Sequence, residues 1–207
     1  MKPQTKDITQ YLKASDIIDF GCQLSCEIAA LALEIKAHSK DEISYIKNAF
    51  VYVRDKISHS ADIQGCTVTS KASEVLMAKE GICYAKSHLL AALLRYNQIP
   101  AGFCYQKLIL NDMIAPYLIL HGLNAVYIES LGKWIRLDAR GNKPGVDAQF
   151  SLTQERLAFP VRTDKGEEDI PIIFANPDEN VIKALTENKK LEDLWDNLPT
   201  ELYSNFL

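Results

Sequence analysis

Residues 79–90 read KEGICYAKSHLL, a helical pattern that stops at Gly81 and restarts at Cys83. A thiol in that joint sits in the first turn of the second helix. There the backbone amides have no intrahelical acceptor and the helix dipole is positive. Both features favour thiolate, the form in which sulfur attacks a carbonyl. Such a nucleophile needs a base, and the chain has four histidines. His88 lies five residues along the same helix, about 140° round it, and cannot face Cys83. His38 closes the first helical segment, where a cation suits the dipole. His59 falls in a polar loop and reads as solvent-exposed. His121 opens a strand after the apolar run MIAPYLIL (113–120), where its side chain can project from a sheet edge towards a helix.

A catalytic imidazole also needs a partner that fixes its tautomer and stabilises its cation. WIRLDAR puts Asp138 at the end of an otherwise apolar strand, an odd place for an unpaired carboxylate. If the preceding hairpin turned symmetrically at Leu131 and Gly132, Asp138 would pair with Ala125. It would then share a face with His121 but lie about 13 Å from it. A bulge or wider turn within ESLGK that shifts Asp138 opposite Leu123 makes the two diagonal neighbours at about 7 Å. The chemistry therefore predicts an irregular turn. Taken alone, Cys83 reads first as a buried core thiol, and His121 as a satisfied histidine at a strand start.

Helices come first along the chain. Residues 15–38 carry Ile17, Ile18, Leu24, Ile28, Leu31 and Ile35 at helical spacing, with Ser15 and Asp16 suited to the start. SKDE (39–42) has capping-box form, Ser39 with Glu42, and opens a helix to about Ile57. The polar connection SHSADIQGCTVTS follows, then the helix KASEVLMAKE with Gly81 as its stop. A further helix runs from Cys83 to about Tyr96 and buries Ala85, Leu89, Ala92, Leu93 and Tyr96; Pro100 forbids its continuation. Strands follow at 101–110, 122–130 and 133–138. Beyond Asn142 the chain is less regular, with a last helical patch from Glu179 to Leu194. Helices followed by an antiparallel meander make an α+β pattern.

Three segments in this order, GICYAKSHLLAALLRYNQIPAGFCY, HGLNAVYI and KWIRLDARGN, resemble the core of the transglutaminase-like superfamily over about residues 68–142. The helix closing on LLRYNQIPA (93–101) belongs to the same likeness. The resemblance implies a papain-like fold, N-terminal helices packed on an antiparallel sheet with an irregular C-terminal extension. It carries over a Cys-His-Asp triad: Cys83 as nucleophile, His121 as base, Asp138 as orienting acid. Many members have a His-Ala-Trp run where this chain has His121, Gly122 and Leu123, which alters the acyl-binding wall. No calcium-loop pattern is visible, and the additional domains of animal cross-linking enzymes are not expected.

The implied function is acyl transfer on amide bonds, peptide or isopeptide, through a thioester, as a cysteine peptidase or amidase. The alternatives are an amine acyltransferase, of transglutaminase or arylamine acetyltransferase type, and a non-catalytic binding module on the same fold. The oxyanion would meet the Cys83 amide and a second donor, for which Gln64 is the candidate by analogy with papain-like enzymes. Trp134 and Arg136 share the face of Asp138. Trp134 is a candidate cleft wall or a packing residue, Arg136 lines the cleft or meets solvent, and Arg140, which also flanks Asp138, meets solvent. The acidic segment 166–179 is a candidate cover for one end of the site.

Composition bounds the rest. A chain of 207 residues, 47% hydrophobic and 24% charged, can bury a full core, and reads as one domain, with the core at about 40–142 and an extension at 143–207. A net charge of −4 with scattered Lys and Arg argues against nucleic acid. The N-terminus shows no secretion signal, and the longest apolar run is too short to span a bilayer. Five cysteines, an odd number, read as reduced thiols in a cytoplasm. Cys22 and Cys26 lie one helical turn apart, yet no second pair completes a metal site, so they read as core filling. No cofactor is expected; the expected partner is a peptide, protein or small amide substrate.

Overall fold

The computed structural model describes residues 1–21 and 26–203. Its helices are α1 (Cys26–Ala37), α2 (Glu42–Lys56), α3 (Ala72–Ala78), α4 (Cys83–Tyr96), α5 (Glu179–Glu187) and α6 (Leu191–Asp196). Its strands are β1 (Lys2–Pro3), β2 (Ser58–His59), β3 (Glu80–Gly81), β4 (Ala101–Asn111), β5 (Ala115–Ile128), β6 (Lys133–Leu137), β7 (Glu168–Asp169) and β8 (Ile172–Ile173). The main sheet is antiparallel in the order β6-β5-β4-β7. The mixed helix-and-sheet architecture is the expected one. Among the described residues, no helix is long and apolar enough to cross a membrane.

Helix α4 is the axis of the molecule, packed against α1, α2, α3, β4 and β5. Every residue from Tyr84 to Arg95 is buried, while Tyr96 stays half-buried. A helix enclosed on all sides must satisfy its polar side chains internally. Lys86, Ser87 and Arg95 do so through backbone carbonyls, as does His88 Nδ1, while His88 Nε2 has no hydrogen-bond partner among the described residues. Lys86 Nζ donates to Ile57 O at 2.5 Å and Arg54 O at 3.3 Å, capping the end of α2. Arg95 donates to Ala101 O, Lys13 O and Ala175 O at 2.6–3.0 Å. The arginine of LLRYNQIPA thus ties the helix to the first residue of β4, to the N-terminal segment and to the C-terminal segment.

Local details depart from the expected pattern where side chains found other partners. Residues 15–21 form bends rather than helix, because Ser15 Oγ accepts the amides of Ile17 and Ile18 in a tight turn. Cys22 and Leu24 lie outside the described residues; Cys26 is exposed, not core. The cap of α2 is Asp41, boxed with Ser44, while Ser39 Oγ donates back to Ile35 O. Lys79, in the left-handed conformation at φ 56°, ends α3 in place of Gly81, and Gly81 joins β3. The expected last helix is split into α5 and α6, since Leu191 N donates to Cys66 O and Thr67 bridges Lys190. Segment 166–179 extends the sheet through β7 and through Phe174 against Phe103.

The β5–β6 turn sets the register. Residues 129–131 form a 3-10 turn closed by Gly132 at φ 62°, and Ile128 pairs with Lys133 across it. Glu42, left free by the Asp41 cap, accepts the amides of Glu129 and Ser130 at 2.8 and 3.1 Å and so holds the turn. The ladder runs on to Asn124 opposite Leu137; one step further, Asp138 falls opposite Leu123. This is the wider turn that the proximity of His121 and Asp138 requires.

Candidate active site

Three elements deliver three side chains to one place. Cys83 is the first residue of α4, and Ile82 before it is extended, with no side-chain cap. The first-turn amides therefore stay open beside the half-buried thiol. His121 stands in β5 and Asp138 just beyond β6, 4% and 1% exposed. His121 Nε2 donates to Asp138 Oδ2 at 2.8 Å. The same carboxylate accepts the amides of Ala158 at 3.0 Å and Arg140 at 3.1 Å. With Nε2 committed, Nδ1 is the ring nitrogen left for sulfur, and Cys83 and His121 line the same cavity.

Burial pulls the imidazolium of His121 down, but the Asp138 carboxylate and the Cys83 sulfur outweigh it and push its pKa up to about 10. Burial likewise opposes charge on Asp138, yet His121 and the two amides hold it below the usual carboxylate range. This corner of the protein is built to carry a cation on His121.

Cys83 and His121 both line a cavity of about 390 Å³, bordered also by His59, Arg140, Phe159 and Trp195. Phe159 stands edge-on to His121, ring centroids 5.2 Å apart, and holds the imidazole plane. A second cavity of 360 Å³ shares His121 and Phe159, so the imidazole borders both hollows. Gly122 follows His121 because a Cβ there would lie 2.6 Å from the Tyr84 ring; the residue after Cys83 occupies the space that a His-Ala sequence would need. Among the described residues, no cluster of His, Cys, Asp or Glu could hold a metal ion.

Other expected positions fall elsewhere. Gln64 is exposed, with φ 54°, and lines not the Cys83 cavity but an adjoining hollow with Cys66 and Lys190, which shares Ala61 and Trp195 with it. Asp62, two residues earlier, is held by Arg140 and Lys143, and the left-handed turn carries Gln64 outwards. Trp134 packs between Tyr11 and Tyr127, at 4.9 and 5.6 Å between ring centroids, and does not line the Cys83 cavity. Arg136 is paired with Glu155 and Asp169. Segment 166–179 does not border the Cys83 cavity, which Phe159, Trp195 and Leu198 edge, but its Glu167 lines the second hollow beside His121. His59, expected in solvent, is buried, drawn in because β2 pairs in parallel with β3 beside Cys83. Nothing in the polar stretch SHSAD signals that pairing. Arg140, two residues beyond Asp138, was the legible hint, since its cation ties the His59 loop to the Asp138 turn through Asp62.

Two buried histidines make the fold acid-sensitive. Burial holds His88 down to about 4 and His59 to about 3, against about 6.5 in an unfolded chain. Their folded pKa values are depressed, so their contribution to stability is complete above about pH 6.5 and is lost as pH falls towards those values. His121, its folded pKa raised to about 10, is charged in the folded protein throughout and in most unfolded chains below pH 6, so it adds little slope. Urea denaturation between pH 6 and 5, above the carboxylate range, should show unfolding free energy falling by about 2–3 kcal/mol per pH unit, two protons' worth; a His88→Asn variant should show about half that slope.

A cysteine at a helix start, a histidine on the neighbouring sheet and a buried carboxylate on the next strand define a papain-like α+β fold. The sequence model of the transglutaminase-like superfamily matches residues 29–139, and the chain belongs to that superfamily. No curated protein matches it. Among solved structures, it resembles "a putative cysteine protease from Cytophaga hutchinsonii" at 24% identity and a TM-score of 0.51, over 66% of this chain and 43% of that one. A TGase matches at 16% identity and a TM-score of 0.43, over 86% of this chain and 51% of that one. The chain thus spans about half the length of either structure or less.

Proposed function

We propose that this protein is a cysteine peptidase or amidase: a thiol-dependent enzyme that cleaves amide bonds, peptide or isopeptide, by acyl transfer. The observation that carries the reading is the buried His121–Asp138 hydrogen bond beside a cavity that His121 lines together with Cys83. His121 Nδ1 takes the Cys83 proton, and the thiolate adds to the amide carbonyl, forming a C–S bond and an oxyanion. The open amides at the start of α4 face that negative charge. As the oxyanion collapses, the C–N bond breaks and His121 returns its proton to the leaving nitrogen. A thioester remains. Water, deprotonated by His121, attacks it and releases the acid and the thiol. The two hollows bordered by His121 suit the acyl and leaving-group sides of a peptide-like substrate.

Mass spectrometry of the wild type and Cys83→Ala, incubated with a library of peptide amides and amines, tests the reading. An acyl adduct on Cys83 that water displaces supports it. An adduct displaced only by amines makes the protein an acyltransferase instead. The absence of any adduct on Cys83 leaves a binding module on the same fold.

A further inference from the structure

The wall of the cavity lined by Cys83 and His121 holds a second imidazole, that of His59. His59 is 9% exposed, and its Nδ1 is buried without a hydrogen-bond partner. A buried ring with an unsatisfied nitrogen is costly and calls for a reason. The ring borders the cavity that holds Cys83 and His121. With Nδ1 sealed away, Nε2 is the nitrogen that can address a ligand.

The loop that carries His59 is fastened at both ends of the site. Its strand pairs in parallel with β3, His59 opposite Gly81, and Ser60 N donates to Gly81 O at 3.3 Å, two residues before Cys83. Asp62 N donates to His59 O at 2.8 Å, and the Asp62 carboxylate is gripped by Arg140, two residues beyond Asp138. His59 is therefore fixed relative to the nucleophile and to the carboxylate, as a donor that stabilises a transition state must be.

Resting on the acyl-transfer reading, we infer that His59 Nε2–H is the side-chain donor of the oxyanion hole, acting with the open amides at the start of α4. Burial, then the nearby Arg140 cation, keeps this ring neutral down to about pH 3, so it holds one N–H and does not compete with His121 as a base. The proton stays on His59 throughout; it donates to the oxyanion as the C–S bond forms and releases it as the carbonyl returns.

Two reactions of the same sulfur separate this role from others. Iodoacetamide alkylates Cys83 by displacement at carbon and builds no oxyanion; p-nitrophenyl acetate acylates it through one. In His59→Phe, which keeps a flat ring without the donor, acylation should fall about 10²–10³-fold while alkylation stays near wild type. His59→Gln, which restores an N–H, should recover acylation to within about ten-fold of wild type. Acylation at the wild-type rate in His59→Phe overturns the inference. So does a parallel loss of both reactions, which marks His59 as merely structural. If wild-type Cys83 is neither alkylated nor acylated faster than an ordinary thiol, the acyl-transfer reading itself fails.

Discussion

Asp138→Asn is expected to lower kcat by about 10³–10⁴-fold with little change in overall fold. The carboxylate takes three N–H donors: His121 Nε2, the Ala158 amide and the Arg140 amide. An asparagine has one oxygen to offer, so either orientation of its amide sets N–H against N–H. If its nitrogen faces His121, the ring must move its proton to Nδ1, the position that has to receive the proton from sulfur. If it faces Arg140, a buried amide loses its acceptor at a cost of about 1–3 kcal/mol. The cation on His121 also loses its largest support, leaving burial to drive it off. Turnover of the amide identified by mass spectrometry, with circular dichroism as a check on fold, reads the effect. An Asp138→Asn enzyme within ten-fold of wild type would remove the carboxylate from the mechanism.

The largest effect on stability is expected at Arg95, far from the chemistry. Arg95→Met fills similar volume but leaves the carbonyls of Lys13, Ala101 and Ala175 without their shared donor. Among the described residues, the hydrogen-bond acceptors of this cation are all backbone carbonyls; its guanidinium lies over Phe103 at 5.4 Å, and burial pulls its pKa down to about 10. Removing a charged group from the core returns part of its desolvation cost. Three orphaned acceptors, at about 1–3 kcal/mol each, outweigh that return. A net loss of about 3 kcal/mol should lower the melting temperature by about 6–12 °C. An unchanged melting temperature would mean that water replaces the guanidinium at those carbonyls.

The parts of the site that depend on periodicity were legible in the sequence. The span of α4 follows from its apolar spacing between Gly81 and Pro100, and that placed Cys83 at a helix start. Strand parity put His121 and Asp138 on one face, and their chemistry demanded the wider turn that Glu42 supports. What stayed hidden depends on pairing between segments remote in sequence. His59 is buried by two residues of parallel strand, too short to leave a pattern. Gln64 and Asp62 sit in one loop, and only the Arg140 ion pair decides which of them turns towards the site. Ser15 and Ser39 have the composition of helix caps, but each satisfies a nearer backbone group instead. The break at Asn188–Lys190 arises from the backbone bridge to Cys66 and Thr67, which nothing within residues 179–194 announces.

Whether His121 keeps the Cys83 sulfur reactive is measured directly by the rate of carboxamidomethylation of Cys83 by iodoacetamide against pH. Fast reaction is expected by about pH 6, well below the ordinary thiol range near 8.5, with the fast phase abolished in His121→Ala. A wild-type sulfur that reacts only as pH approaches 8.5, along the same profile as His121→Ala, would contradict that role of His121.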